Sequence, residues 1–174
     1  MKQLDLLIFF YFVIDIPISI FIDAQGLVAL RPFYPSFLRN LVIWYCESFG
    51  DFLFLNPPAW FQSFIVMRII FQIPLLLLNV LGFLSSNKIS PQFLDLLNYS
   101  LLNITDAPYL PLTCTIYAVH VFTTTVPIVV ELWIANASWL LVSIYSVYLV
   151  IPALILLRFC FLPSGQRISR RARG

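Results

Sequence analysis

Four apolar runs, each about as long as a bilayer is thick and each broken by one proline near its middle, restrict this 174-residue chain to few folds. Lipid offers the backbone no hydrogen-bond partners, so a spanning segment of about 20 apolar residues must be helical. The runs fall at about residues 6–23, 59–83, 112–134 and 139–162. With 61% hydrophobic and only 10% charged residues, a water-soluble domain of this size is excluded. The expected fold is an all-α membrane protein, a four-helix transmembrane bundle over residues 1–162 with a basic tail at 163–174. Net charge is only +2, and five of the ten basic residues lie from Arg158 onward. That surplus fits a membrane-flanking tail and speaks against nucleic acid as a partner.

The prolines are Pro17, Pro74, Pro127 and Pro152. Each removes a backbone hydrogen bond and kinks its helix, freeing a carbonyl four residues earlier, here on Val13, Ile70, Thr123 and Tyr148. Four proline-kinked helices bent at a shared depth favour an internal pocket over a tight bundle. The first run is no cleaved signal peptide, because Asp15 and Pro17 interrupt it and no small-residue cleavage site follows. Pro57 and Pro58 suit a helix start, which places the second span from near Ala59. Arg68 within that span costs roughly 3 kcal/mol on an insertion scale, which its many Leu, Ile, Val and Phe neighbours offset.

Between the first two spans, apolar residues at helical spacing over 35–49 predict a short amphipathic helix in the interface, with Trp44 and Tyr45 at headgroup depth. Residues 85–111 read as a connecting loop, and 135–138 as the turn of a tight hairpin between the last two spans. An even number of spans puts both termini and the second loop on one side. That side carries Lys2, Lys88, Arg158 and the tail arginines against only Arg31 and Arg39 opposite, so both termini are expected in the cytosol.

Counted from the luminal ends at about 1.5 Å per residue, Asp15, Arg68, Gln72, His120, Thr124, Tyr145 and Tyr148 all lie about 10–22 Å deep. Ionisable and polar groups at such depth are candidates for function. Asp23, Asp51 and Glu131 sit nearer the luminal mouth, and His120 and Glu131 are further candidates for lining a pocket. Asp15 and Arg68 agree in depth and are opposite in charge, so a structural ion pair is expected. Cys46, Cys114 and Cys160 form no metal or disulfide spacing, and no metal, cofactor or catalytic residue is expected.

The stretches YFVIDIPISIFID, YPSFLRNLVIWY, NPPAWFQSF with FQIP, IYAVHVFTTTVPI and LVSIYSVYLVIPALILL cover about two thirds of the chain in order. In these the sequence resembles the EXPERA-domain family, which holds sigma-2-type receptors and emopamil-binding sterol isomerases. The resemblance implies an endoplasmic-reticulum bundle with a lipid-accessible pocket for sterols or cationic amphiphilic molecules, and a role in sterol trafficking and cholesterol homeostasis. It implies that Asp23 and Asp51 are the ligand-binding acids, one pairing with a ligand amine and the other supporting it. By the same matching Gln72, Thr124, Tyr145 and Tyr148 are pocket positions. The chain departs from the family's receptor at Arg68, where that protein is acidic, and at Asp15, where it has histidine.

Three functions are compatible with these residues: a non-enzymatic sterol or lipid receptor, a membrane chaperone or biogenesis factor in mitochondrial precursor handling, and a sterol double-bond isomerase. The last is disfavoured, because its acid and base would be His120 and Glu131, about 16 Å apart along one helix. Membrane lipids, a sterol-transport membrane protein and a second copy of the chain are the other expected partners. The orientation predicts that Asn98, Asn103 and Asn136, all in acceptor motifs, carry no glycan, the first two being cytosolic and the third too close to the bilayer. A glycosidase-sensitive mass shift abolished in the Asn98→Gln/Asn103→Gln variant would invert the topology.

Overall fold

The computed structural model describes residues 2–85 and 109–161. Helix α1 spans Lys2–Phe21, and two short 3-10 turns, Asp23–Gly26 and Val28–Phe33, carry the chain to α2 at Ser36–Phe49. A single turn, α3 at Phe52–Leu55, precedes the second span. That span comprises α4 at Ala59–Met67, a π-helical turn at Arg68–Gln72 and α5 at Ile73–Ser85. Then come α6 at Leu110–Ile134 and α7 at Trp139–Leu156, the latter prolonged by a π-helical turn at Leu157–Phe161. Four stretches, Gln3–Gly26, Ala59–Leu84, Leu110–Ile134 and Trp139–Phe161, are long and apolar enough to cross a membrane. Most of the segment expected to connect the second and third spans, with Asn98 and Asn103, lies outside the described residues, as does the basic tail.

Local chemistry explains where these elements begin and end. Pro58, in extended conformation, is the N-cap of α4, and Gln62 reaches back to it and to Pro57, its backbone N–H to the Pro58 carbonyl and its side-chain amide to the Pro57 carbonyl, each at 3.0 Å. Gly50 closes α2 at φ 72°, a left-handed conformation that a side chain would strain. Asp51 then caps α3, its Oδ1 accepting from Phe54 N at 3.1 Å. Ser138 accepts from Leu141 N at the start of α7 and donates to the Phe49 carbonyl at 3.3 Å, tying the α2–α3 corner to the hairpin turn. Ahead of Pro74 the ladder widens, and Ile73 N–H reaches the Arg68 carbonyl five residues back. Such a turn accommodates the hydrogen bond that a proline cannot make.

Polarity is arranged inside out. Large apolar residues such as Ile14, Ile70, Val130 and Val150 face outward, Ile70 being 69% exposed, while Asp15, Gln72, Asn79 and Arg158 are buried. The interior holds two apolar clusters. One gathers Ile8, Phe12, Leu76, Phe83, Cys114 and Tyr117; the other joins Val42, Leu53, Phe54, Phe61, Leu132 and Leu141, so that α2 and α3 fold over the half of the bundle nearer the α6–α7 turn. Helix α2 occupies the amphipathic segment, with Trp44 exposed. Its Tyr45 packs inward on the second cluster, not outward at headgroup depth as the spacing suggested.

Arg158, within the last span, is also turned inward. It is 2% exposed, and its Nε and Nη2 donate to the two carboxylate oxygens of Asp5 at 2.7 and 3.1 Å. The pair clamps the start of α1 to the end of the last span, at the other end of the bundle from the α2–α3 cover. Removing one member leaves the other charge in low dielectric, so Arg158→Gln should lose about 3 kcal/mol or more of stability. Thermal unfolding in detergent checks this, with the exposed Arg39→Gln as the variant expected to leave the midpoint unchanged.

Candidate functional site

Between the two apolar clusters lies a charged layer centred on Arg68, which the π-helical turn of the second span presents to α1. Its Nη2 lies 2.8 Å from Asp15 Oδ1 and 2.7 Å from Asp23 Oδ2, and its Nε donates to Ser19 Oγ at 3.1 Å. These three partners lie on one side of α1 and its extension, four residues apart, where a helical period aligns them. The contact with Asp15 is a hydrogen bond; that with Asp23 is a close ion pair without hydrogen-bond geometry, and Asp23 Oδ2 is buried with no hydrogen-bond partner among the described residues. The Arg68 guanidinium also stands over the Tyr148 ring, 5.4 Å from its centroid.

The layer continues toward α6. Tyr117 OH donates to Asp15 Oδ2 at 2.8 Å, and the Tyr11 and Tyr117 hydroxyls are 3.0 Å apart. Asp15 thus has a partner on each oxygen, which is how a carboxylate at 2% exposure is stabilised away from water.

Beside this layer is a cavity of about 190 Å³. Asp23, Arg68, Thr125, Tyr145 and Tyr148 give it a polar side, and Ile18, Ile22, Phe61, Ile65, Ile128 and Ile144 are among its apolar walls. Tyr45 and Phe54 line it from the α2–α3 cover. A wider apolar groove of about 780 Å³ runs between α1 and α7 and shares Ile18, Ile144 and Tyr148 with the cavity. Ligand pockets for drug-sized molecules occupy about 300–1,000 Å³, so the cavity alone is smaller than such a pocket and the groove falls within the range.

The sequence candidates separate under this geometry. Asp23, Arg68, Tyr145 and Tyr148 line the cavity together, and Asp15 stands behind Arg68. Asp51 is buried behind the wall, where Tyr145 OH donates to its Oδ2 at 2.9 Å. Burial lifts its carboxyl above the usual range, opposed by the hydrogen bonds from Phe54 N and Tyr145. Gln72 is buried but is not among the cavity's lining residues, and its Nε2 has no hydrogen-bond partner among the described residues. Thr124 is replaced in the lining by its neighbour Thr125, its own hydroxyl returning to the His120 and Val121 carbonyls. His120 packs edge-on against Phe71 with ring centroids 5.2 Å apart, and Glu131 is exposed, so neither lines the cavity.

Four participants escaped the sequence reading: Tyr11, Ser19, Tyr117 and Thr125. Ser19 had a signal, lying midway between two carboxylates at four-residue spacing. Tyr11 and Tyr117 had a weaker one, a phenol within an apolar span that must find a partner when buried.

The EXPERA (EXPanded EBP superfamily) family matches residues 37–159, a span that includes Asp51, Arg68, Tyr145 and Tyr148 and begins after Asp15 and Asp23. The chain is similar to Sigma intracellular receptor 2 of Xenopus tropicalis, at 28% identity over 185 residues covering 99% of this chain and 96% of that protein. Its similarity to Sigma intracellular receptor 2 of Homo sapiens is 30% over 163 residues, covering 84% and 81%. It is also similar to the Schizosaccharomyces pombe protein named Efficient mitochondria targeting-associated protein 19, at 28% over 150 residues covering 86% and 71%.

With two carboxylates on one guanidinium, the three charges should respond unequally to substitution. Arg68→Gln strands both acids and should lose about 3 kcal/mol or more. Asp15→Asn leaves Arg68 paired with Asp23 and should lose less, and the Asp15→Asn/Arg68→Gln variant should be more stable than Arg68→Gln alone. Thermal unfolding of the four proteins in detergent decides it; strictly additive losses would mean the two side chains do not interact.

Proposed function

This chain belongs to the EXPERA family, and from that premise we propose that it is a sterol- or lipid-binding membrane receptor of the sigma-2 type. The observation that carries the proposal is the apolar cavity with a single polar side, set within the membrane spans and continuous in its walls with a lipid-facing groove. A sterol has the matching chemistry, a rigid apolar body with one hydroxyl. The names of the frog and human relatives, receptors in both cases, favour binding over catalysis. We place the protein in the endoplasmic reticulum with both termini in the cytosol, acting in sterol trafficking and cholesterol homeostasis. Its partners in this account are the sterol or a related amphiphile, membrane lipids and a sterol-transport membrane protein, with a second copy as a further candidate.

No catalytic role is proposed. Moving a double bond requires an acid and a base that both reach the substrate. The histidine and glutamate that would serve do not face the cavity. A second account, a membrane chaperone or biogenesis factor, is favoured by the name of the fission-yeast relative, which covers 86% of this chain.

Photo-crosslinking with a diazirine sterol separates the two accounts. The receptor reading expects saturable labelling, competed by excess unlabelled sterol, on peptides from α1 and α7. Ile144→Trp, which fills the wall shared by cavity and groove, should weaken labelling about tenfold by excluding the apolar body from burial. Labelling that does not saturate and ignores Ile144→Trp would leave the biogenesis account.

A further inference from the structure

Resting on that receptor reading, we propose that Arg68 is a resident cation filling the amine subsite of the cavity, so that the protein selects uncharged, hydroxyl-bearing ligands and rejects cationic ones. Two features in an apolar chamber recognise an ammonium group: a carboxylate and an aromatic face. Both are present here, as Asp23 and Tyr148, and both line the cavity. Both are already engaged by the same internal cation. Arg68 Nη2 is 2.7 Å from Asp23 Oδ2, and the guanidinium carbon is 5.4 Å over the Tyr148 ring.

Each acid around the chamber is already engaged before a cation enters, Asp15 and Asp23 sharing one guanidinium. Asp23 and Arg68, the two charged residues of its lining, cancel formally. Asp15 is turned to Arg68 and Tyr117, and Asp51 is held behind the wall by Phe54 N and Tyr145. Arg68 cannot lose its proton to make room, since guanidinium remains charged in proteins. Nor is it free to swing away, because Ser19 and Asp15 hold it by hydrogen bonds. An ammonium entering the chamber would therefore meet a fixed like charge in a poorly screened environment.

A hydroxyl meets no such opposition. Asp23 Oδ2 is buried and, despite its closeness to Arg68, accepts no hydrogen bond among the described residues. An ionised carboxylate oxygen is an acceptor only, so this atom can take an O–H donor once the side chains around it shift to admit one. The neighbouring guanidinium can in turn donate to the oxygen of that hydroxyl. The site thus orients an alcohol with its polar end toward Asp23 and its apolar body toward the isoleucine walls and the groove.

The test uses two radiolabelled probes with one steroidal skeleton, a 3-hydroxyl compound and its tertiary-amine counterpart, charged at neutral pH. The proteins are the full chain, Asp15→Asn/Arg68→Gln, and Asp15→Asn/Asp23→Asn/Arg68→Gln, each shown to be monodisperse and to unfold cooperatively. Asp15 is neutralised together with Arg68 so that no acid other than Asp23 is unpaired by the change. The unsubstituted protein should bind the alcohol about tenfold or more tighter than the amine. The double variant should gain about tenfold or more for the amine, and the triple variant should lose that gain. Equal binding of both probes by the unsubstituted protein overturns the assignment without recourse to any variant. So does a folded double variant that gains nothing for the amine. If the gain appears and depends on Asp23 while the alcohol binds none of the proteins, the role of Arg68 stands and the sterol reading falls.

Discussion

Arg68 cannot shed its proton inside a bilayer, so its surroundings must supply opposite charge, hydrogen bonds or both. Asp15, Asp23, Ser19 and Tyr148 do this from the first and last spans, and Tyr117 extends the set into the third. One side chain thereby relates all four membrane segments at a common depth. In lipid, where helices gain little from apolar contact with each other, such polar contacts and close packing are what hold a bundle in one arrangement. Asp5 and Arg158 make the corresponding connection at the other end, between the start of α1 and the end of the last span.

The cavity follows from the same arrangement. The two apolar clusters pack each half of the bundle, but at the charged layer the helices are separated by side chains that need polar partners and cannot collapse into an apolar core. Pro74 and the wide turn before it set the second span's course through that layer. The α2–α3 cover closes one end, joined to the hairpin turn through Ser138 and Phe49 and to the preceding loop by Arg31, which donates to the Gln25 carbonyl at 2.8 Å and to the Phe54 carbonyl. The result is a chamber closed above by protein and bordered laterally by a groove between α1 and α7.

The four spans were legible because length and hydrophobicity are one-dimensional properties, and Pro57-Pro58 marked a helix start in plain chemistry. Depth was legible for the same reason: a fixed rise per residue puts Asp15 and Arg68 in one layer, where their atoms lie 2.8 Å apart. Azimuth was not. Successive residues of a helix differ by about 100° in direction, so an equally deep neighbour can face elsewhere. That is why Thr125 faces the cavity where Thr124 was expected, and why His120 and Glu131 are outside it. Tyr45 was misjudged for a related reason, since an amphipathic helix does not reveal whether its apolar face meets lipid or protein. The contact of Asp5 with Arg158, 153 residues apart, had no local signal at all.

Asp23 and Asp51 illustrate how identical side chains take different roles through geometry alone. Asp51 is held by its own helix and by Tyr145, with Oδ1 engaged by a backbone N–H and Oδ2 by the phenol. Both oxygens already have donors, and the residue lies behind the wall, where it fixes the orientation of Tyr145 in the lining. Asp23 has no such local anchor. It begins a short 3-10 turn just beyond α1, projects into the chamber and relies on Arg68 for charge balance while keeping one buried oxygen unfilled. Charge neutralisation without a hydrogen bond is an incomplete solution for a buried carboxylate, because the ion pair offsets the charge but leaves an acceptor unsatisfied. A ligand hydroxyl donating to that oxygen would complete it, which is why the proposed recognition of an alcohol starts from this atom.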